Sequence, residues 1–375
     1  MADLTRLIRF TAGSDRASSL DGWFVPTGAT IDTLAGNDRI TGTADAGAAL
    51  SGIDILSTAT LNTSSGDDII QGNGASTGIN GISNLGTLNT GISSGTSADD
   101  DIILGNGRYG IYNTGTILTG IGRDIITGIA TGISGIYHSG RIDTGTGNDI
   151  ISGFATGSGG TYGIHMYSGT VDTGSGDDTI TGSTSGSGTS GIMNGSTINT
   201  GIGDDRMTGA GGIYGIYNAS TINTDNGSDS ITGSGVTVGI FNAGTINTGI
   251  GDDRITGSAT GPGVTVGINN TGIINTGDDI DVVDALIGGF AGSGTTDLGA
   301  GNDTLKGFGS GTFKGGLGTD TLFFNPGIYT ITAGVGAGNY VINGIMNVSG
   351  FELFGPGADI TSFSAAVAAG SVRFI

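Results

Sequence analysis

Residues 239–256 read GIFNAGTINTGIGDDRIT, and two earlier stretches repeat the phrase: GIYNASTINTDNGSDSIT from Gly215 and GIMNGSTINTGIGDDRMT from Gly191. Within each phrase an aliphatic residue alternates with polar ones over three short runs. Period-two alternation with β-branched residues marks strands, and the Gly, Asn and Asp between the runs mark bends. The first run centres on Ile111, Ile136, Ile164, Ile192, Ile216, Ile240 and Ile268. The second centres on Ile117, Ile142, Val171, Ile198, Ile222, Ile246 and Ile274, the third on Ile126, Ile151, Ile180, Met207, Ile231 and Ile255. Three strands and three bends per repeat describe one coil of a three-faced parallel β-solenoid, an all-β fold that grows by adding coils. Equivalent aliphatics then stack one strand spacing apart, about 4.8 Å.

Extending the frame Gly-x-Asp, with an aliphatic residue two positions later, gives twelve rows at intervals of 17 to 33 residues. Their acids are Asp38, Asp68, Asp101, Asp124, Asp149, Asp178, Asp205, Asp229, Asp253, Asp284, Asp303 and Asp320. The reading is a solenoid of about twelve coils over residues 33–324, between an N-terminal segment 1–32 and a C-terminal segment 325–375. Residues 4–10, 328–333 and 339–348 read as strands that cap the solenoid or join one copy to the next. Two asparagine ladders follow the same frame. One holds Asn89, Asn199, Asn223, Asn247 and Asn275, the other Asn84, Asn113, Asn194, Asn218, Asn242 and Asn269. Stacked asparagines bond up and down such a structure.

Composition agrees and excludes other classes. Glycine accounts for 80 of 375 residues, 33 acids face 12 bases, and the formal charge is -21. So anionic a chain repels nucleic acid. With no cysteine, disulfides and thiolate metal sites are excluded. No run of 18 apolar residues is present, so no membrane-spanning helix is expected. Gly, Thr, Asn, Ser and Asp disfavour helix throughout, and the regular isoleucines argue against disorder.

The third bend carries the chemistry. Around the acids stand TLAGNDRIT (33–41), TGIGRDIIT (119–127), TGTGNDIIS (144–152), TGSGDDTIT (173–181) and TGIGDDRIT (248–256). Toward the end come LGAGNDTLK (298–306) and GGLGTDTLF (315–323). This series resembles the repeat-in-toxin (RTX, haemolysin-type) nonapeptide, Gly-Gly-x-Gly-x-Asp-x-aliphatic-x. Most rows depart from it at the first position, which is Thr. The row at Asp284, GDDIDVVDALIGG, lacks the Gly-x-Gly lead.

The resemblance implies Ca²⁺ between successive coils, in single file along one edge. Calcium takes six to eight oxygens at about 2.3–2.6 Å, and one turn offers too few. Carried over residue by residue, it implies carboxylate ligands from Asp38, Asp68, Asp101, Asp124, Asp149, Asp178, Asp205, Asp229, Asp253, Asp303 and Asp320. It implies tight turns at the glycine pairs Gly145 and Gly147, Gly174 and Gly176, Gly201 and Gly203, Gly249 and Gly251, Gly299 and Gly301, and Gly316 and Gly318. The family's two-faced β-roll has 18-residue coils, and the short last intervals suggest a passage into that form. Without Ca²⁺ to offset the aligned carboxylates, the chain is expected to stay loose.

MADLTRLIRF lacks the apolar run of a cleaved leader. Relatives of the RTX type leave the cell in one step, reading an uncleaved C-terminal signal, and the tail SFSAAVAAGSVRFI is compatible with that. The non-repetitive ends are too short for an enzyme fold. The expected product is therefore the solenoid itself: a secreted calcium-binding structural protein that joins copies of itself head to tail into a filament or surface layer. Three alternatives have residues behind them. A stripe of Tyr112, Tyr137, His165, Met193, Tyr217 and Phe241 could bind surface polysaccharide. Arg108, Tyr109, His138, Arg141, Tyr162, His165 and Tyr167, on neighbouring coils, could serve a polysaccharide lyase or epimerase. Rows of Thr and Asn could meet ice, although only the turn at Gly145 reads Gly-Thr-Gly-Asn-Asp.

Overall fold

In a complete coil, strand Ile150–Ala155 is followed by Tyr162–Met166 and Thr170–Asp172, and the acidic bend 173–178 leads into the next coil. This is a computed structural model, and it describes every residue except 1, 8–9, 45–50, 75–78, 93–98, 158, 187, 264, 357–360 and 375. It forms two units, Met1–Gly212 and Ile213–Ile375.

Within each unit the coils pair in parallel and in the expected register. In the first unit Ile103, Ile126, Ile151, Ile180 and Met207 stack on one face. Ile111, Ile136, Ile164 and Ile192 stack on the second. Leu88, Ile117, Ile142, Val171 and Ile198 stack on the third. The second unit repeats the three columns with Ile231, Ile255 and Val283, then Ile216, Ile240 and Ile268, then Ile222, Ile246 and Ile274. All of these are at most 1% exposed. Each contributes roughly 1.5–3 kcal/mol by leaving water, so the core is three aliphatic columns rather than one cluster.

The first two faces meet at a neck of glycine. A Cβ on Gly128 would lie 2.1 Å from the carbonyl oxygen of Gly135 in the same coil. Gly105 and Gly110, Gly153 and Gly163, Gly182 and Gly191, and Gly233 and Gly239 repeat the contact at 2.1–2.4 Å. Beyond each neck the chain turns round a tip of variable length. The tip accounts for the unequal repeat. Asp101 to Asp124 spans 23 residues with five from Gly105 to Gly110, and Asp253 to Asp281 spans 28 with ten from Gly257 to Gly267. Both leave the same 18-residue frame.

The regular three-strand turns number about nine, fewer than the twelve rows. Near the end the middle strand is lost. Between Asp303 and Asp320 only Thr304–Lys306 and Gly311–Lys314 remain as full faces, with an isolated bridge from Phe290 to Gly309 between them. This is the expected drift toward two-faced coils. Parallel pairing also begins before residue 33: Arg16–Ser19 pairs with Arg39–Ala44, and Thr30–Asp32 with Thr60–Asn62.

The inner asparagine ladder forms, with two changes. Asn84 Nδ2 donates to Asn113 Oδ1 at 2.8 Å, and Asn218 Nδ2 to Asn242 Oδ1 at 2.8 Å. The member after Asn242 is Asn270, at 2.9 Å, and Asn269 instead pairs with the outward Phe241. His138 and Met166 fill the gap after Asn113. His138 is fully buried; its Nδ1 accepts from Asn113 Nδ2 at 3.1 Å and its Nε2–H donates to the Thr170 carbonyl at 3.0 Å. Burial pushes its pKa down to about 4, against 6.5 in the unfolded chain. The unfolded state therefore takes up a proton that the folded state refuses between those values. This group's contribution to stability is intact above about pH 6.5 and falls as pH drops toward 4. Restoring the ladder residue, His138→Asn, is expected to flatten this fall by on the order of 3 kcal/mol. Urea midpoints of both proteins at pH 7.5 and 4.5 check it.

The ends depart from expectation. Residues 4–10 are not a strand: Ala2–Asp3 is a two-residue strand and Leu4–Leu7 a short helix with Leu4 1% exposed, while part of the stretch, residues 8–9, lies outside the described residues. A buried Leu4 explains the change, since the end of the first coil needs apolar cover. The C-terminal expectation holds with one break: Gly327–Ala333 and Asn339–Ile342 are strands, and a turn at Asn343, φ 46°, separates the latter from Met346–Ser349. The tail holds a helix, Phe363–Ala369, N-capped by Ser362 and closed by Gly370.

Candidate metal centre

The acidic bends stack into a ladder in each unit. In the first, the backbone N–H of Asp38 donates to Asp68 Oδ1 at 2.7 Å, and the same bond links Asp68 to Asp101, Asp101 to Asp124, Asp124 to Asp149, Asp149 to Asp178 and Asp178 to Asp205. In the second it links Asp229 to Asp253, Asp253 to Asp281, Asp281 to Asp303 and Asp303 to Asp320. Every one of these acids is at most 2% exposed.

Three members escaped sequence reading. Asp281, not Asp284, occupies the bend in its coil; Asp284 pairs with Arg254 at 2.9 Å on the outer face. The signal was present in Thr276-Gly277, which leads into Asp281, and in Val283 two positions beyond it. Asp15 starts the first ladder by donating its N–H to Asp38 Oδ1. Glu352, the chain's one glutamate, ends the second by accepting from Asp320 N–H at 2.8 Å. Asp15 carries a local signal, since Gly13-Ser14-Asp15 with Ala17 two positions beyond fits the Gly-x-Asp frame, whereas Glu352 has none.

Ten of the inner carboxylates use only Oδ1 in hydrogen bonds. The Oδ2 atoms of Asp38, Asp68, Asp101, Asp124, Asp149, Asp178, Asp253, Asp281, Asp303 and Asp320 are buried without a hydrogen-bond partner. Threonine hydroxyls stand against many of them, such as Thr144 beside Asp149 and Thr173 beside Asp178. They also lie within reach of carbonyls: Thr144 Oγ1 donates to the Thr173 carbonyl at 3.2 Å, and Thr173 Oγ1 to the Thr200 carbonyl at 3.0 Å. A hydroxyl has one proton to give, so it cannot serve the carbonyl and the carboxylate at once. A buried unpaired charge of this kind is costly. Burial accordingly pushes the pKa of Asp101 up to about 9, those of Asp68, Asp149, Asp178 and Asp281 to about 7, and those of Asp124, Asp253 and Asp303 to about 6. Asp38, Asp205 and Asp320 rise for the same reason.

The glycines do what their spacing implied. Gly145 and Gly147, Gly174 and Gly176, Gly201 and Gly203, Gly249 and Gly251, Gly299, Gly316 and Gly318 all have φ between 91° and 144°. Gly301 alone lies outside that region, and Asp279, φ 83°, occupies the equivalent place one coil before it. A Cβ on Gly147 would stand 1.7 Å from the Gly122 carbonyl oxygen, and one on Gly176 2.0 Å from that of Gly147. These second-glycine carbonyls therefore point into spaces that any side chain would fill. Among the described residues no three acidic or imidazole side chains converge on one point. A cation at the ladder must draw on backbone oxygen as well, which is the donor mixture calcium accepts. Orphaned carboxylate oxygens, neighbouring hydroxyl oxygens and glycine-lined spaces fit a hard divalent ion.

A second row lies outside the first with opposite polarity. Asp100 Oδ1 accepts from Arg123 N–H at 2.7 Å, Asn148 Oδ1 from Asp177 N–H at 3.0 Å, and Asp252 Oδ1 from Ile280 N–H at 3.0 Å. These side chains brace adjacent bends from the solvent side.

Of the other sequence candidates, Tyr137, Tyr162 and Tyr167 gather round His165, with ring centroids 5.3, 4.4 and 6.1 Å away. Of the lyase constellation, His138 is inside the coil with both ring nitrogens bonded, and Arg141 lies on the third face paired with Asp143. In the stripe, Tyr112 and Tyr137 stack at 4.9 Å and 6°, as do Tyr217 and Phe241 at 4.8 Å and 15°. Within each pair one face of each ring is covered by its neighbour. Among the described residues no helix is long and apolar enough to cross a membrane.

No family model and no curated protein matches the chain. Among solved structures it is similar to a hyperactive, Ca²⁺-dependent, β-helical antifreeze protein from an Antarctic bacterium. Identity is 20%, the TM-score 0.48, and the match covers 84% of this chain and 80% of that one. So distant a likeness carries neither the calcium nor the ice activity over to this chain.

Proposed function

We propose that this chain is a secreted, non-catalytic structural solenoid of RTX-like type, clamped by Ca²⁺ along its acidic bends, that associates with copies of itself. The observation that supports it is the buried, unpartnered Oδ2 repeated from coil to coil. A single buried carboxylate can be held neutral by its environment; a column of them at strand spacing calls for a counterion. Bound calcium would supply the positive charge and the demand for oxygen ligands that this ridge lacks. The chain's part is to hold Oδ1 fixed by the neighbouring N–H, keep water out with the threonine row, and present glycine carbonyls where no side chain intrudes. Secretion accords with this, since sites of the extracellular grade bind at roughly 10⁻⁴–10⁻³ M.

Calorimetric calcium titration tests the proposal. Wild type should take up several ions and release protons as the raised carboxylates ionise. Asp149→Asn keeps the acceptor for Asp124 N–H but removes the charge, and is expected to lower the stoichiometry by one or two. Equal stoichiometry in wild type and variant would remove Asp149 from the site.

A second reading has one observation behind it. On the third face Thr60, Thr87 and Thr116 stand in register, as do Thr170 and Thr197, all directed outward. Such rows could order water against ice. Thermal hysteresis in a nanolitre osmometer decides it, and freezing without hysteresis ends that reading.

A further inference from the structure

The N-terminal end of the first unit and the C-terminal end of the second are finished differently. At the C-terminal end the last parallel strands, Met346–Ser349 and Leu353–Gly355, already carry antiparallel partners, Asn339–Ile342 and Thr361–Ser362. Gly327–Ala333 and Ser371–Phe374 extend that antiparallel layer. No further coil can be added there in parallel. The acid ladder is closed at the same place by Glu352.

The first coil is not covered in this way. Ala2–Asp3 pairs with Trp23–Val25, but among the described residues no strand pairs with the outer edge of Arg16–Ser19 or of Thr30–Asp32. In the latter, Ala29 C=O accepts from Thr60 and Thr33 N–H donates to Asn62, both toward the next coil. Strand alternation then turns the N–H and C=O of Thr30 and Asp32 outward. Thr30 and Asp32 are exposed, Ile31 is 5% exposed where Leu61 and Leu88 above it are 0%, and Leu20 and Leu34 are 79% and 43% exposed beside these strands. Neither strand contains a lysine, a proline or a bulge; the guards present are the shortness of the strands and the charges of Arg16 and Asp32.

We propose that this edge pairs with the same edge of a second copy of the chain, Thr30–Asp32 lying antiparallel to its counterpart about a two-fold axis. Thr30 of one copy then faces Asp32 of the other, and the four outward backbone groups of each strand are satisfied together. An edge that meets only itself is isologous and closes at two copies. The head-to-tail filament expected from sequence would need the next copy's coil to continue Met346–Ser349 and Leu353–Gly355 in parallel, and both already carry antiparallel partners. The like charge of the two chains opposes contact, so pairing strengthens with ionic strength. The inference rests on the reading of the chain as a structural solenoid, and the two are measured separately.

The test is sedimentation equilibrium of the full chain at millimolar calcium and rising salt, with circular dichroism on the same samples. A mass near twice 36.7 kDa at high protein concentration is expected. Thr30→Pro removes one outward N–H and no bond to the next coil, and should weaken dimerisation at least tenfold with an unchanged β spectrum. Thr30→Asp, which keeps every backbone group and sets a carboxylate opposite Asp32 of the other copy, should do the same by charge if the proline variant fails to fold. Three results would overturn the proposal: a monomer at all concentrations, open-ended filaments, or a dimer that both variants leave intact. Loss of the β spectrum on chelation with pairing still abolished by Thr30→Asp in calcium separates the clamp from the edge.

Discussion

In excess EGTA at pH 8 the chain is expected to lose most of its β spectrum, or to melt tens of degrees lower than in millimolar calcium. The expectation follows from charge and burial together. At that pH most of the inner carboxylates would have to ionise inside the bend, with Oδ2 unpaired and the next acid one strand spacing away. The direction of the pH response is specific. In the ion-free fold the pKa values of Asp68, Asp149, Asp178 and Asp281 stand near 7 and that of Asp101 near 9, all above the ordinary 3.8. Over that range the folded state binds more protons than the unfolded one, so its stability declines as pH rises from about 4 through 7 and beyond. Acidifying from pH 8 to 5.5 in EGTA should therefore raise the melting temperature, on the order of 10 °C for a chain of this size. In calcium the dependence should reverse, because protons and the ion compete for the same oxygens. Differential scanning calorimetry at four pH values, with and without chelator, reads both. An unchanged melting point in EGTA at pH 8 would falsify the clamp.

The second large effect needs no ion. Gly135→Ala adds one methyl group, and the structure leaves it nowhere to go: its Cβ would lie 2.2 Å from the Phe154 nitrogen and 2.6 Å from the Gly128 carbonyl oxygen. Both are backbone atoms held in ladders, so neither can rotate away. The neck must open, which pulls the Ile126 and Ile136 columns apart over several coils. A cost on the order of 5 kcal/mol or more is expected, at the extreme of single substitutions. Gly186→Ala is the control. Gly186 has φ 72° but nothing within 4 Å, so only backbone strain opposes the change, about 1 kcal/mol. Guanidinium denaturation in calcium should place the two variants far apart. A Gly135→Ala protein that unfolds beside Gly186→Ala would show that the faces are not pinched at the neck.

The aliphatic columns and the bend motif could be read without coordinates because both are local. Ile126 and Ile151 announce themselves by alternation, and Asp149 by the two glycines before it. Asp281 was displaced to Asp284 because the frame was anchored on glycine, and Asp279 stands where the second glycine should be. Asp15 was missed although Gly13 and Ala17 give it the same local frame. Glu352 was missed for a different reason: it joins the ladder through Asp320, 32 residues away, and no nearby spacing encodes that. His138 in the asparagine ladder belongs to the same class: its tautomer is set by Asn113 and Thr170, on the coils before and after it.

By itself the chain of letters determined the strand period, the three faces and the acidic edge, since each depends on residues that follow one another within a single coil. Tertiary structure alone decided how the coil is pinched, where its tips lie and how its ends are finished. Those depend on backbone meeting backbone across the coil, where glycine matters for the side chain it lacks, and a missing atom leaves no periodic signal until the surface it touches is known.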